Sequence, residues 1–327
     1  MKNQSWQSAL AAPMKAFLSY HRALGKRFNS EEGTLRLFDR FVAGQNIRAL
    51  AALTPGLIDA FVCSRNRPSA KSHNQLIGVL QRWFAWLAMQ QRIESSPVRI
   101  VPRKAGPTRK PFLFDATLLR RVIVLAGRLV ERRDTKGRAL VYPMLFALIG
   151  ALGLRVSEAT RLRVGDIDWG RGVLHIEKTK FFKSRLVPIG PKITARLRLY
   201  MKKRGMRAAP SDTPVFWIGR APLRPIGSHH ASCVFGRLCR QLHIEAPLGV
   251  APARLHSLRH SFAVRTLLGW YRQGISPGER LMDLATFMGH ANPSSTSVYL
   301  TITPELLEEA NRRFRNFASP ITKGGRP

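Results

Sequence analysis

The chain contains few cysteines and no apolar run long enough to cross a membrane. Its three cysteines, Cys63, Cys233 and Cys239, form no disulfide framework and indicate a reducing compartment. No signal-type apolar core follows the N-terminus. The longest mostly apolar run, from Met144 to Leu154, is too short for a bilayer and carries two glycines, so it predicts a buried core helix. These absences predict a soluble, cytoplasmic protein with no membrane partner.

Acidic residues are also scarce. The 327 residues include 19 Asp and Glu against 54 Lys and Arg, which gives a net charge of +35 and a pI near 11.7. Such an excess repels itself in a compact state and indicates a polyanionic partner. Nucleic acid is the favoured partner, and an anionic membrane surface or a ribosome-like structural role are the alternatives. Because the cations are spread along the whole chain, we expect folded surfaces to carry the binding.

The chain has no evident internal repeat, and its length predicts two domains. We predict an N-terminal helical domain over 1–98, a linker over 99–111, and a second domain over 112–327 that ends in a C-terminal helix. The linker prediction rests on a basic stretch whose dense prolines prevent a helix and favour an extended connector. These prolines are Pro97, Pro102, Pro107 and Pro111.

Apolar periodicity predicts helices over 31–42 and 69–93 in the first domain, with a further helix that Thr54 caps and Pro55 opens. Trp83 and Trp86 have the chemistry to stack on bases, but a Trp-Phe-x-Trp run at helical spacing favours core packing. The second domain reads as mostly helical with a β-hairpin formed by 173–177 and 185–189. Its predicted helices cover 117–131, 138–152, 193–203, 228–242, 256–268, 279–287, 295–300 and 305–317.

Two arginines lie in contexts suited to gripping a phosphodiester. A planar guanidinium matches the two nonbridging oxygens of a phosphate bidentately. Arg155 lies in a glycine turn that leads into a helix, which we expect Ser157 to cap. Arg259 follows His256 by three residues, so both project from one helical face together with His260.

Tyr299, nine residues after His290, is the candidate nucleophile. A tyrosine ionises near pKa 10, so forming phenolate at neutral pH costs roughly 4 kcal/mol. Nearby guanidinium charge and proton transfer to a histidine offset that cost. The leaving oxygen needs a proton, for which Lys180 at the hairpin turn is the candidate acid and Lys183 the runner-up. The residues therefore point to attack of a tyrosine hydroxyl on a nucleic-acid phosphodiester.

These motifs resemble those of the tyrosine site-specific recombinases, the phage integrase family. The Gly-Leu-Arg-x-Ser-Glu signature corresponds to Gly153 to Glu158, and the His-x-Leu-Arg-His signature to His256 to His260. The Leu-Gly-His box becomes Met288-Gly289-His290, with the tyrosine at the family's usual distance. Lys180 keeps the family's spacing of eight residues before Pro188. The resemblance covers about 107–320, and the N-terminal helices are similar in kind to the family's core-binding domain.

The resemblance implies a role for each motif residue. Tyr299 attacks the phosphate and forms a 3′-phosphotyrosyl link, while Arg155 and Arg259 hold the nonbridging oxygens. His256 assists proton transfer, Lys180 protonates the leaving 5′-oxygen, and His290 binds or orients the phosphate. Glu158 and His260 support the site.

The resemblance also implies a fold, partners and a cofactor requirement. The fold is a mainly α protein of the DNA-breaking-rejoining type, with a helical core-binding domain and an α-rich catalytic domain containing a small antiparallel β-sheet. The partners are double-stranded DNA and further protomers, the same or related, in a tetrameric synapse. No metal or other cofactor is implied. The residues around Tyr299 and the segment 303–307 resemble recombinases carried by mobile elements.

Several alternatives remain open. The same residues suit a type IB topoisomerase-like relaxase, and a catalytically silent DNA-binding protein of this fold is the second competitor. His229, Cys233, Cys239 and His243 have i, i+4 pairings, but the gap between the cysteines does not fit common zinc spacings, so we predict packing or surface roles. Tyr271 is predicted to be a loop or packing residue. The C-terminal helix packs either in cis or against a neighbouring protomer.

Overall fold

The computed structural model describes residues 5–104, 106, 109–177, 184–219, 224–289, 294–301, 308 and 311–312. The chain divides into two compact units, Met1–Thr108 and Arg109–Pro327. This division falls inside the stretch 99–111 that the sequence marks as a linker. The predicted C-terminal helix over 305–317 lies almost wholly outside the described residues. Within the described part, no helix is both long and apolar enough to cross a membrane.

The first unit is built from helices. They are α1 (Ala11–Ala23), α2 (Asn29–Gly44), α3 (Pro55–Cys63) and α4 (Ala70–Met89). The predicted helices 31–42 and 69–93 correspond to α2 and α4, whose ends differ by a few residues. Thr54 caps α3 as predicted, because its side chain accepts a hydrogen bond from the Leu57 N–H and Pro55 occupies the first turn.

The core of the first unit contains both tryptophans of α4. Trp83 is fully buried and Trp86 nearly so, which confirms that they pack in the core. The Trp83 ring meets Phe38 at a centroid distance of 5.7 Å, and Phe38 meets Phe61 at 4.9 Å, both edge to face. These rings are therefore unavailable for stacking on bases.

The beginning of the predicted linker lies on the first unit. The Asn74 side chain of α4 donates to the Arg103 carbonyl at 2.7 Å and accepts from the Arg103 N–H at 2.8 Å. The Arg103 guanidinium also donates to the Arg67 carbonyl at 3.0 Å. These bonds satisfy both backbone groups of Arg103, which an extended segment otherwise leaves to water.

The second unit is mostly helical, as predicted. Its helices are α5 (Ala116–Ala126), α6 (Arg138–Leu152), α7 (Val156–Thr160), α8 (Pro191–Lys203), α9 (Ser228–Gln241), α10 (Ser257–Arg272), α11 (Pro277–Met288) and α12 (Ser294–Ser297). A 3-10 turn, Val298–Thr301, follows α12. The apolar run that begins at Met144 forms most of α6. The residues of this run are almost all buried, so its prediction as a core helix is confirmed.

A small antiparallel sheet accompanies these helices. Its strands are β1 (Ile167–Asp168), β2 (Val173–Ile176) and β3 (Arg185–Pro188), in the order β1-β2-β3. Leu174 pairs with Val187 across the predicted hairpin, and both side chains are fully buried. The pairing of β2 with β3 confirms the hairpin, whereas β1 is too short for sequence periodicity to detect.

Candidate active site

Gly153 ends α6 and sets the direction of the turn that carries Arg155. Its φ of +59° is the left-handed conformation that favours glycine, and an added Cβ would lie 2.4 Å from the Phe262 ring. Arg155 rather than Ser157 occupies the N-cap position of α7, so the prediction of a Ser157 cap is wrong. The Glu158 carboxylate accepts from the Arg155 N–H at 2.9 Å, which satisfies a helix-end donor from inside the first turn.

Glu158 joins two arginines that are distant from each other in sequence. One carboxylate oxygen accepts from Arg155 Nη1 at 2.7 Å. The two carboxylate oxygens also accept hydrogen bonds from Arg185 Nη1 at 3.0 Å and from Arg185 Nη2 at 2.9 Å, which makes this ion pair bidentate. Arg155 further donates to the Gly289 carbonyl. Glu158 thus contacts Arg155, the residue that the resemblance implies it supports, and it contacts Arg185 as well.

Arg185 is a site residue that the sequence analysis missed. It opens β3 and lies close to Glu158 only after the sheet and α7 have come together. In a chain with 54 Lys and Arg, neither its spacing nor its neighbours distinguish it. Its position within an alternating strand gave no reason to expect a buried ion pair.

The ion pairs hold the Glu158 carboxylate charged to low pH. Burial by itself raises its pKa, but the hydrogen bonds and charges of Arg185 and Arg155 outweigh burial and lower the pKa to about 2. Because this value lies below the ordinary 4.5, the charged group stabilises the fold above pH 4.5. That contribution is lost as the pH falls from 4.5 towards 2.

We therefore expect Glu158→Gln to flatten the acid dependence of stability. The lowering of the Glu158 pKa from 4.5 to about 2 corresponds to roughly 3 kcal/mol of unfolding free energy, at about 1.4 kcal/mol per pKa unit. Urea unfolding between pH 5 and pH 2 should show the wild-type and variant free energies converging on acidification. Glu279→Gln, at an exposed position of α11, is the control and should follow the wild type. Parallel curves for Glu158→Gln and the wild type would contradict the assignment.

Arg259 is a buried cation at the centre of the site. Its side chain is 1% exposed and donates to the Gly153 carbonyl at 2.5 Å and to the Met288 carbonyl at 2.8 Å. Burial and the neighbouring charge of Arg155 lower its pKa to about 10, so it remains protonated at neutral pH. These bonds fasten α10 to the glycine turn on one side and to the end of α11 on the other.

Tyr299 lies in the 3-10 turn after α12 and is 4% exposed. Its hydroxyl is 2.9 Å from Nδ1 of His260, a hydrogen bond. Burial raises the pKa of the Tyr299 phenol, and the charge of Arg259 acts in the opposite direction. The predicted nucleophile is therefore near the predicted phosphate-binding arginine, and its described histidine partner is His260.

His256, at the N-cap position of α10, and His260, in the first turns of that helix, differ in environment. Their rings are nearly perpendicular, with centroids 4.8 Å apart. Burial, the charge of His256 and that of Arg259 lower the pKa of His260 to about 4. His256 is exposed to solvent, but nearby protein atoms still displace part of the water around its ring. This desolvation is the main cause of its lowered pKa, followed by the charges of Arg259 and Arg155. Cations that surround both rings favour neutral imidazoles at pH 7.

The structure brings together most of the residues that the sequence singled out. Three distant segments supply them, and the residues are Arg155, Glu158, His256, Arg259, His260 and Tyr299. Lys180, its runner-up Lys183, and His290 lie outside the described residues. Gly289 is described and accepts from Arg155.

Two other sets of residues from the sequence analysis have packing or surface positions. Tyr271 lies near the end of α10, partly buried against the apolar cluster that contains Tyr299, so it is a packing residue. Cys233 Sγ is 3.5 Å from His229 Nε2, and Cys239 is buried. Among the described residues, no group of three or more His, Cys, Asp or Glu side chains is placed to hold a metal ion.

A mainly helical unit with a small antiparallel sheet, in which a tyrosine belongs to one cluster with two arginines and two histidines, is typical of the tyrosine recombinase class. The chain belongs to the phage integrase family, whose profile matches residues 127–305. It is 35% identical over 310 residues to y4rB of Sinorhizobium fredii, provisionally named an integrase/recombinase, covering 94% of this chain and 97% of that protein. It is also 31% identical to the tyrosine recombinase XerC of Chromobacterium violaceum, over 72% of this chain and 70% of XerC.

Solved structures share the fold. The integrase of the Tn1549 transposon, in complex with a circular intermediate DNA, superposes with a TM-score of 0.63 at 16% identity, covering 94% of this chain and 99% of that one. A lambda integrase dimer bound to a core site gives 0.62 at 15% identity, covering 89% and 76%. At these identities the likeness concerns the fold, so the chemistry of this chain rests on its own residues.

Proposed function

We propose that this protein is a DNA strand transferase that cuts and rejoins DNA through a 3′-phosphotyrosyl intermediate, in site-specific recombination, integration or transposition. One observation carries the proposal. The Tyr299 hydroxyl is hydrogen-bonded to His260, and the charge of Arg259 acts on it. Two helices, α11 and α12, separate Tyr299 in sequence from the helix that carries His260 and Arg259. A buried tyrosine with a proton acceptor and a guanidinium beside it suits phosphoryl transfer better than simple packing.

The two arginines are suited to bind the phosphate. Each guanidinium has five N–H donors. The described bonds of Arg259 use two of these donors and those of Arg155 use two, all to backbone carbonyls or Glu158. Donors therefore remain on both for nonbridging oxygens. Backbone and carboxylate bonds already fix the orientation of both guanidinium groups. Because Arg259 is 1% exposed and Tyr299 is 4% exposed, the protein atoms that cover them must move aside before a phosphate reaches these donors.

His260 is the proposed acceptor of the phenol proton. Since the lowered pKa keeps this imidazole neutral at pH 7, a tautomer with its proton on Nε2 leaves Nδ1 free to accept from the hydroxyl. As the Tyr299 oxygen bonds to phosphorus, its proton moves to His260 and the P–O5′ bond breaks. The phosphate brought by DNA adds negative charge beside the imidazole, which favours its protonated form. The exposed His256, next to His260, is the proposed route by which the proton is exchanged.

The remaining roles follow from the family resemblance. Lys180 donates a proton to the leaving 5′-oxygen, and His290 contacts the phosphate. Rejoining reverses the step, because a 5′-hydroxyl attacks the phosphotyrosyl link and Tyr299 recovers its proton. The covalent link conserves the energy of the phosphodiester, so this scheme calls on no nucleotide cofactor.

We propose duplex DNA as the partner. The net charge of +35 suits it, and the lambda and Tn1549 integrases named above are DNA complexes. By the same analogy the first unit acts as a core-binding domain, the second as the catalytic domain, and several protomers assemble on paired sites. A mobile element is the proposed carrier, and the cytoplasm the proposed location.

Covalent trapping tests the function. The substrate is a nicked suicide duplex built from DNA that flanks the gene, so that cleavage releases a short fragment and rejoining is prevented. We expect a protein–DNA adduct that survives denaturation, and mass spectrometry of its peptides should locate the DNA on Tyr299. An adduct on another residue would contradict the assignment of the nucleophile, and binding without any adduct would favour a silent DNA-binding protein. Relaxation of supercoiled plasmid without a paired site would favour the topoisomerase-like alternative.

A further inference from the structure

Arg185 connects three parts of the site that are far apart in sequence. Its Nη1 and Nη2 hold both oxygens of Glu158, at 3.0 and 2.9 Å, and its Nε donates to the Phe287 carbonyl at 2.9 Å. Its side chain is 10% exposed and that of Glu158 is 1% exposed. A buried guanidinium with three directed bonds, one of them across 102 residues, is a built contact rather than a surface ion pair.

Gly289 shows how closely this guanidinium fits. The backbone of Gly289 has a φ of +69°, and a Cβ added there would lie 2.8 Å from Arg185 Nη1 and 3.0 Å from Cζ. The carbonyl of the same glycine accepts from Arg155. Arg185 and Arg155 therefore grip the end of α11 side by side, and Glu158 lies between their charges.

The charges of this cluster suggest what Arg185 contributes. Glu158 carries one negative charge and has two cationic partners, Arg155 and Arg185. Without Arg185, the buried carboxylate would face Arg155 as its single described ion-pair partner and would draw that guanidinium towards itself. With Arg185 present, the pair of cations and one anion retain a net positive charge for a phosphate.

We propose that Arg185 is a positioning residue of the active site, which occupies Glu158 and fastens the end of α11 so that Arg155 stays available to the scissile phosphate. The inference rests on the proposed strand-transfer function. Arg185 acts through Glu158 and Arg155, and no contact of its own with DNA is needed.

The test measures single-turnover cleavage of the suicide substrate at saturating DNA, together with DNA affinity and thermal stability. We expect Arg185→Met to cleave roughly 100-fold more slowly than the wild type, as a displaced catalytic group does. Its affinity for DNA should stay within a few-fold of the wild type. Arg185→Lys keeps the charge but loses the bidentate geometry, so it should fall between the two. Arg171→Met, which removes an exposed cation at the β1–β2 turn, is the matched control and should cleave at the wild-type rate.

A double variant separates positioning from simple loss of folding. Arg185→Met removes one of the two cations that pair with the buried negative charge of Glu158. Loss of one partner from a buried ion pair is strongly destabilising and can unfold a protein. Glu158→Gln/Arg185→Met removes that charge, so it should be more stable than Arg185→Met and cleave faster, although more slowly than the wild type. Wild-type cleavage by Arg185→Met would overturn the proposal, as would a double variant that is folded yet no faster than the single one. An inactive wild type would instead refute the proposed function.

Discussion

Tyr299→Phe is expected to abolish covalent trapping completely while leaving DNA binding within a few-fold of the wild type. The substitution removes one oxygen atom and preserves the ring that packs with the apolar residues of α10 and α11. Without the oxygen no bond to phosphorus forms, so the effect is a loss of product rather than a slower rate.

The fold of this variant should survive. Removing the hydroxyl leaves Nδ1 of His260 without its described partner, which costs about 1–3 kcal/mol of unfolding free energy. Tyr271→Phe is the matched control, because it deletes a hydroxyl from the same apolar cluster at a position that we assign to packing. Its trapping should equal that of the wild type. An adduct formed by Tyr299→Phe at the wild-type level would exclude Tyr299 as the nucleophile.

Arg259→Lys is expected to slow cleavage by roughly 100- to 1,000-fold at saturating DNA, the range seen when one preorganised donor to a transition state is removed. The positive charge remains, but an ammonium group cannot reproduce the fork that reaches the Gly153 and Met288 carbonyls. The phosphate therefore loses a guanidinium N–H donor of fixed direction. The Gly153 and Met288 carbonyls lose the hydrogen bonds that the Arg259 guanidinium donates to them. Single-turnover rates on the suicide substrate measure the first effect, and thermal unfolding measures the second.

Arg265→Lys provides the comparison for Arg259. Arg265 lies on the same helix, α10, and is an exposed residue whose Nη2 donates to the Gly150 carbonyl at 2.7 Å. The same substitution there should lower stability without a comparable effect on cleavage. If both variants lost stability and cleavage equally, the role of Arg259 would be structural, and Arg155 would remain as the proposed phosphate ligand.

Much of the site could be predicted from local spacing. Arg259 and His260 follow His256, the N-cap residue of α10, by three and four residues, and residues at these spacings are neighbours at the start of a helix. Glu158 reaches Arg155 for the same reason, across one turn. The hairpin could also be predicted, since Val173 to Ile176 and Arg185 to Pro188 carry the apolar side chains that a buried strand requires.

Long-range contacts could not be predicted in this way. The described histidine partner of the Tyr299 hydroxyl is His260, whereas the family resemblance points to His256 for proton transfer. Only the packing of the 3-10 turn against α10 brings the hydroxyl to His260. The capping of α7 was also mispredicted, because a Glu158 carboxylate fixed by Arg185 is available to the Arg155 N–H. A serine side chain competes poorly with a carboxylate held in place by two cations.

The amino-acid sequence by itself determined the chemical groups, their order and the helices and strands that carry them, and with these the family to which the chain belongs. Only the tertiary structure decided which groups touch: Arg185 with Glu158 and Phe287, Arg155 with Gly289, and Arg259 with Gly153 and Met288. The reason is physical. Helical and strand periodicity depends on residues within a few positions, whereas a bond between Arg155 and Gly289 joins positions 134 residues apart and depends on how whole elements pack.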